Sequence, residues 1–213
     1  LQIQEGHNLL IASFEAEQTP EAITRIVEQC HQDVGAEEIQ NLEITHKDDN
    51  SWQTMWKAFF TPRQLGKRFW VIPSWEKEFV PPAETHPIVI DPGMAFGTGH
   101  HATTALCLEA LENVIMEQKS VSMLDVGCGS GILSIGASLL GADTIDAIDI
   151  DSKAVEVTIE NAQINGLNNI HASTTPVDKI PNQYTVVVAN ILASILVRLA
   201  RGIVQTVGEH STL

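Results

Sequence analysis

Short apolar runs and helical stretches alternate from residue 87 to the end of the chain. Runs of strand length occupy residues 87–90, 122–125, 144–148, 169–172 and 184–189, and apolar residues at helical spacing fill the segments between them. Such alternation is typical of an α/β fold, because a helix returns the chain between parallel strands. The pattern predicts a doubly wound, Rossmann-like sheet, with a further strand beginning at residue 211.

The first 86 residues follow a different pattern. Residues 7–15 and 38–47 are predicted strands, and the helix between them is expected to begin with Thr19 as its cap and to end at Gly35. Residues 1–50 are therefore interpreted as a small α+β domain. All four tryptophans lie within the next stretch, where an aromatic helix forms either a core bridging two domains or a binding face. We assign residues 51–86 to this helix and an interdomain linker, and residues 87–213 to the second domain.

The stretch from residue 122 to residue 133 changes from an apolar run into a glycine-rich turn. Gly127, Gly129 and Gly131 permit positive φ angles and the close approach of a ligand. The helix that follows directs its first amides toward an anion. The dinucleotide fingerprint has a third glycine where this chain has Ile132, so the spacing here is G-x-G-x-G. A nicotinamide cofactor is disfavoured by this spacing but not excluded.

Polar residues are expected at the same edge of the sheet as this turn. Asp149 follows the run at residues 144–148, where a carboxylate binds ribose hydroxyls in doubly wound folds, unless it caps the next helix. Asn190 follows a later run and either faces the crevice or stabilises a turn. Thr104 follows a glycine-rich segment and either caps a helix or donates its hydroxyl to the ligand.

Composition narrows the classes of partner. The chain carries 27 acidic and 12 basic side chains and a formal net charge of −15. This charge repels phosphate backbones, so we expect no direct nucleic-acid binding and favour a basic protein or a small cation as the partner. Acidity is equally a common means of staying soluble.

Membrane and metal chemistry are not expected. No apolar run approaches the roughly 20 residues of a membrane span. The three cysteines are widely separated and form no C-x-x-C pair, which favours a reducing cytoplasm. The adjacent His100 and His101 do not converge on a metal in a regular element. Cys128, in the glycine turn, is interpreted as a packed side chain without a catalytic role.

Five segments together resemble those of one family. They are WKAFFTP at residues 56–62, RFWVIPSW at 68–75, DPGMAFGTG at 91–99, DVGCGSG at 125–131 and VANIL at 188–192. In these segments the chain resembles the bacterial methyltransferases that modify large-subunit ribosomal protein eleven. The glycine turn is shared by class I methyltransferases in general, whereas the loop at 96–99 together with residues 190–192 is more particular to this family.

The resemblance implies an activity and a set of site residues. Methyl groups would pass from S-adenosylmethionine to the α-amine and the lysine ε-amines of the ribosomal protein, with no metal ion. Asn190 would be the catalytic residue, near the reacting methyl group. The cofactor contacts implied are Phe96, Gly97, Thr104, Gly127, Gly129, Gly131, Asp149 and Asn190. The N-terminal domain of the family is ferredoxin-like and holds the protein substrate.

The chain also departs from the family pattern. Members often have Gly-x-His-Pro-Thr-Thr where this chain has GHHATT at residues 99–104, a change of loop stiffness more than of chemistry. The ferredoxin-like domain is expected to be incomplete, without its first strand and helix, and the catalytic sheet to lack its last strands. Three alternatives stay open: a class I methyltransferase for another protein or a small molecule, a nicotinamide-dependent oxidoreductase, and a non-catalytic adenosylmethionine-binding module.

Overall fold

The computed structural model describes residues 19–34, 60–91 and 102–212. The chain divides into two compact units, Leu1–Thr54 and Met55–Leu213. In the first unit helix α1 spans Pro20–Val34, and Thr19 Oγ1 accepts a hydrogen bond from the Ala22 amide at 3.3 Å, as expected of its cap. The strands predicted at 7–15 and 38–47, Gly35 and the beginning of the aromatic helix lie outside the described residues.

A small sheet begins the described part of the second unit. It contains β1 (Arg63–Leu65), β2 (Phe69–Pro73) and β3 (His86–Ile90), with β2 antiparallel to β1 and parallel to β3. The first two strands lie in the stretch assigned above to an aromatic helix and a linker. Phe69 and Ile88 are fully buried in the same core as Leu108, so this sheet packs with the second unit. Residues 74–85 connect β2 to β3 without a strand or helix.

A five-stranded parallel sheet forms the centre of the second unit, in the order β6-β5-β4-β7-β8. Its strands are β4 (Ser122–Val126), β5 (Thr144–Ile148), β6 (Ile170–Ser173), β7 (Tyr184–Val188) and β8 (Val207–Thr212). The helices are α2 (Ala102–Met116), α3 (Ile132–Leu139), α4 (Ser152–Ile164) and α5 (Ala193–Gln205). The predicted doubly wound α/β fold is confirmed. The start predicted for the last strand, residue 211, is wrong by four residues, since α5 ends at Gln205 and β8 begins at Val207.

Both faces of the large sheet are buried. Along β4, Met123 belongs to a core cluster with residues of α2 and α3, whereas Leu124 and Val126 belong to a second cluster that includes Ile203 of α5. Successive side chains of a strand point to opposite faces, so helices cover both sides of β4. Burial on both faces explains why the strand is almost continuously apolar. In a strand with one face exposed to solvent, apolar and polar residues would alternate.

The strand order determines which residues meet at one edge. Because β4 lies between β5 and β7 and all three are parallel, their carboxyl ends are neighbours. Gly127, Asp149 and Asn190 follow these three ends within two residues. The chain order reverses between β4 and β7, and ligands of open α/β sheets bind at such switch points. Among the described helices, none combines the length and the apolarity needed to cross a membrane.

Candidate functional site

The glycine turn between β4 and α3 has a backbone that other residues would strain. Gly127, Gly129 and Gly131 have φ angles of 80°, 55° and 76°. A Cβ atom on Gly127 would lie 2.3 Å from Cγ2 of Ile191, and one on Gly131 would lie 2.9 Å from Cγ2 of Thr158. The turn therefore needs glycine at both positions for conformation and for space.

Hydrogen bonds fix the turn against the end of β5. The amides of Gly127 and Cys128 both donate to the carbonyl of Ile148, at 2.7 and 3.1 Å. The amide of Gly129 donates to Oδ2 of Asp149 at 3.0 Å. Two neighbouring strand ends are thus joined by three contacts, which gives the crevice a preformed edge.

Asp149 lies where the sequence predicted a ribose-binding carboxylate. Its Oδ1 accepts the amide of Asp151 at 3.0 Å, so each carboxylate oxygen has one backbone partner. A carboxylate has about four acceptor positions, so both oxygens keep capacity for hydroxyl donors. The alternative that Asp149 caps α4 is wrong: the cap is Asp151, whose side chain accepts the amide of Lys153 at 2.9 Å.

Asn190 and Thr104 are brought together from residues 86 positions apart. Nδ2 of Asn190 donates to Oγ1 of Thr104 at 3.4 Å, and Thr104 is 1% exposed. Because α2 begins at Ala102, Thr104 lies inside the first turn of the helix and does not occupy its cap position. The contact places the start of α2 beside the carboxyl end of β7, on the crevice side of the sheet. Phe96, Gly97, His100 and His101 lie outside the described residues.

A buried carboxylate lies directly beneath the turn. Asp125 is 1% exposed, and its Oδ2 accepts the hydroxyl of Ser134 at 2.7 Å. Burial raises the pKa of Asp125 to about 6, the hydrogen bonds from the Ser134 hydroxyl and amide lower it, and the charge of Asp149 adds to the increase. The residue before the turn thus titrates near neutral pH, whereas an exposed aspartate does not.

The thiol in the turn is not activated. Burial first, and then the charge of Asp125, raise the pKa of Cys128 to about 12, in spite of a hydrogen bond from Thr158. A thiol with this pKa stays protonated near neutral pH and is a poor nucleophile. The environment supports the packing role expected of Cys128. Among the described residues, no group of three or more His, Cys, Asp or Glu side chains is placed to hold a metal ion.

Several residues that contribute to this edge were not singled out from the sequence. Asp125 and Ser134 form the buried pair beneath the turn, and Thr158 and Asn161 of α4 bind the turn carbonyls. Ile150 follows Asp149 and is 99% exposed, which leaves an apolar side chain available at the crevice. Thr158 and Asn161 could have been found from the sequence as polar residues on the buried face of a helix, because a buried polar group needs a hydrogen-bond partner.

Comparison with known proteins finds one family across the chain. A family model described as ribosomal protein L11 methyltransferase (PrmA) matches residues 2–213. The curated ribosomal protein L11 methyltransferase of Citrifermentans bemidjiense is 49% identical over 162 residues, which cover 74% of this chain and 53% of the relative. That of Colwellia psychrerythraea is 37% identical over 208 residues, which cover 98% and 69%.

A solved structure supports the same relationship. The crystal structure of ribosomal protein L11 methylase from Lactobacillus delbrueckii subsp. bulgaricus matches with a TM-score of 0.66 and 33% identity, over 71% of this chain and 77% of that chain. The chain spans about half the length of the first curated relatives, 53% in two cases and 55% in a third. The similarity therefore includes the fold as well as the sequence.

Proposed function

Because this chain belongs to the ribosomal protein L11 methyltransferase family, we propose that it takes part in the transfer of methyl groups from S-adenosylmethionine to ribosomal protein L11. The acceptors in this proposal are amines, namely the N-terminal α-amine and lysine ε-amines. Enzymes of this family use S-adenosylmethionine as the methyl donor. The curated relatives are longer than the present chain. The proposal therefore concerns the activity of a protein of their length.

One observation carries the proposal: the glycine turn, Asp149 and the Asn190–Thr104 pair converge at one sheet edge. These residues fit an adenosine-containing cofactor. Asp149 keeps acceptor capacity for a ribose diol, and the Gly127 backbone allows close approach. The exposed Ile150 beside them supplies an apolar surface for a flat heteroaromatic ring.

The residues of this chain have separate roles in the reaction. When bound, S-adenosylmethionine supplies an electrophilic methyl group on a positively charged sulfur. The glycine turn and Asp149 would hold the cofactor, and we assign Asn190 the orientation of the amine. Since Nδ2 of Asn190 is directed to Thr104, Oδ1 is the atom that accepts an N–H of the acceptor. Alignment of nucleophile and methyl group contributes more to such a transfer than covalent chemistry by the protein.

The acceptor amine must reach the site unprotonated. A lysine amine has a pKa of about 10.4 in water and is almost entirely charged at pH 7. Burial in a site of low dielectric favours the neutral amine and lowers its pKa. An amide such as Asn190 is not basic, so it would position the neutral amine by accepting its N–H, and the proton of the ammonium form would pass to solvent water.

The remaining parts of the proposal concern organisation and location. Residues 1–50 are proposed as part of a ferredoxin-like domain that recognises the protein substrate. Residues 87–213, together with strands β1 and β2 that pack in the same core, are proposed as the catalytic domain. The net charge of −15 supports a basic protein as the partner and argues against direct nucleic-acid binding. A cytoplasmic location and the absence of membrane contact belong to the same proposal.

The experiment is methyl transfer with a defined acceptor. The full-length protein is incubated with purified ribosomal protein L11 and S-adenosylmethionine labelled in the methyl group, and label in L11 is measured. We expect label on unmodified L11 and none on L11 whose amines have been acetylated. No label on unmodified L11, with cofactor binding intact, would contradict L11 as the substrate and leave another protein or a small molecule as acceptor.

A further inference from the structure

Helix α4 and the residue that caps its carboxyl end present polar side chains to the glycine turn and to the end of β3. Thr158 and Asn161 are three residues apart on α4, and the cap residue Asn165 follows four residues later. Thr158 and Asn161 are 0% and 1% exposed, in a molecule whose other buried positions are mostly apolar. A buried polar side chain requires hydrogen-bond partners, and the partners of these side chains belong to two different segments.

The first of these segments is the glycine turn. Thr158 Oγ1 donates to the carbonyl of Gly129 at 3.1 Å, and Asn161 Nδ2 donates to the carbonyl of Ser130 at 2.8 Å. Two successive carbonyls of the turn are therefore directed toward α4. The amide of Gly129 donates instead to Oδ2 of Asp149, at the end of β5.

The second segment is the carboxyl end of β3. Asn161 Oδ1 accepts the amide of Asp91 at 3.0 Å. Asn165 accepts the amide of Val89 at 2.9 Å and donates to the carbonyl of the same residue at 2.6 Å, so it binds the strand as another strand would. Of these side chains, Asn161 binds both segments: it joins Ser130 in the turn to Asp91 at the end of β3.

We propose that Asn161 is a positioning residue for cofactor binding, which fixes Asp91 relative to the glycine turn through its two hydrogen bonds. The Ser130 carbonyl that Asn161 binds lies in the glycine turn, whose Gly127, Gly129 and Gly131 are among the cofactor contacts implied by the family resemblance. The inference rests on the proposed function, since it assumes that S-adenosylmethionine binds at the turn. The role assigned to Asn161 is indirect: it positions the glycine turn relative to the carboxyl end of β3.

A matched control exists at the opposite edge of the sheet. Asn169 also bridges two segments with its amide: Nδ2 donates to the carbonyl of Ala142 at 2.8 Å, and Oδ1 accepts the hydroxyl of Ser138 at 2.7 Å. Because Asn169 precedes β6, it lies at the amino ends of the strands, away from the crevice. Asn161→Ala and Asn169→Ala therefore remove the same kind of bridge at the two ends of the sheet.

The test compares cofactor affinity with stability in the full-length protein. S-adenosylmethionine is titrated calorimetrically into the wild type and both variants, and the unfolding free energy of each is measured in urea. We expect both variants to lose stability. Asn161→Ala should raise the Kd for S-adenosylmethionine at least tenfold, whereas Asn169→Ala should change it less than twofold. In the methyl-transfer assay, Asn161→Ala should raise the KM for S-adenosylmethionine and leave kcat at saturation within threefold of the wild type.

Two results would overturn the inference. One is a Kd for Asn161→Ala within twofold of the wild-type value. The other is an equal loss of affinity in both variants, in proportion to their loss of stability. If Asn161→Ala does not fold, Asn161→Asp decides, because it keeps the shape and the acceptor for Asp91 but loses the donor to Ser130. It should raise the Kd at least threefold, and wild-type affinity would overturn the inference. A wild type that binds no S-adenosylmethionine would instead contradict the proposed function itself.

Discussion

Single residues at the crevice act partly through the backbone that they hold. Asp149 accepts the amides of Gly129 and Asp151, and Gly127 has Ile191 packed against it where a side chain would be. The carboxylate therefore supports the turn in addition to its proposed role as a ligand for a ribose. Substitutions here affect affinity through direct contacts and through the shape of the turn, and suitable controls separate the two effects.

Replacement of Asp149 by alanine should weaken the binding of S-adenosylmethionine. We expect Asp149→Ala to cost roughly 1–3 kcal/mol of binding free energy, because charge-assisted hydrogen bonds to the ribose hydroxyls are lost. Calorimetric titration measures the effect. The control is Asp151→Ala, which removes the cap of α4 two residues away. It should lower stability by about 1 kcal/mol with little change of affinity, and unchanged affinity in Asp149→Ala would show that the ribose is held elsewhere.

Replacement of Gly127 by alanine should be destabilising for two reasons that can be separated. The residue has φ of 80°, and the new Cβ would lie 2.3 Å from Cγ2 of Ile191. Gly166 has φ of 68° and nothing within 4 Å of the added atom, so Gly166→Ala reports the backbone term alone, about 1 kcal/mol. We expect Gly127→Ala to lower the free energy of unfolding, measured in urea, by more than Gly166→Ala does.

The double substitution Gly127→Ala with Ile191→Ala completes this test. Removal of the Ile191 methyl groups relieves the clash, since the next contact of the new Cβ, with Cβ of Ile191, is 3.8 Å. The double variant should therefore lose less stability than the sum of the two single variants. Additive losses would mean that Ile191 does not pack against the turn in solution.

Sequence spacing made some of these residues predictable and left others hidden. The glycines and Asp149 could be predicted, because a turn and the tip of the next strand are local features of the pattern. Asn161 could not, since its partner Ser130 is 31 residues away and its partner Asp91 is 70 residues away. The position of a polar residue on a buried helix face shows that a partner is needed, but it does not identify the partner.

At the scale of elements, the junction of β4 and α3 contains a titratable group. Asp125 is the next-to-last residue of β4, and Ser134 in the first turn of α3 donates its hydroxyl to it at 2.7 Å. The carboxyl group is buried, and burial raises its pKa to about 6. The neutral form is therefore favoured in the folded state relative to the unfolded state, whose pKa is near 3.8.

This shift makes the stability of the junction depend on pH. Since the folded pKa is raised, the contribution of Asp125 to stability is complete below pH 3.8 and is lost as the pH rises through about 6. Asp125→Asn removes the titration and keeps the acceptor for Ser134. The unfolding free energy of the variant should gain about 2–3 kcal/mol relative to the wild type between pH 4 and pH 7. Parallel pH profiles in urea unfolding would contradict the assigned pKa.

The elements of the second unit were largely predictable, and the exceptions have physical causes. Strands β4 to β7 and helix α4 follow from apolar runs bounded by glycine, aspartate and asparagine. The sheet formed by β1, β2 and β3 was not predicted, because β1 is three residues long and aromatic residues on β2 suit a core or a binding face equally. Pairing between β2 and β3 connects residues 17 apart, and sequence alone does not provide that register.

At the scale of the whole molecule, sequence, fold and site agree. The family model covers residues 2–213, and the structure places the switch point of the sheet where the glycine turn, Asp149 and Asn190 meet. The net charge of −15 is compatible with the protein substrate proposed above. The cofactor assignment rests on residues of the second unit, whereas the substrate assignment rests on the family.

The most direct test of the account is therefore a paired titration. S-adenosylmethionine and NADH are each titrated into the full-length protein under the same conditions, and heat of binding is measured. We expect saturable binding of S-adenosylmethionine with one site per chain, a loss of affinity in Asp149→Ala, and no binding of NADH. Clear binding of NADH without binding of S-adenosylmethionine would contradict the account and assign the crevice to a dinucleotide.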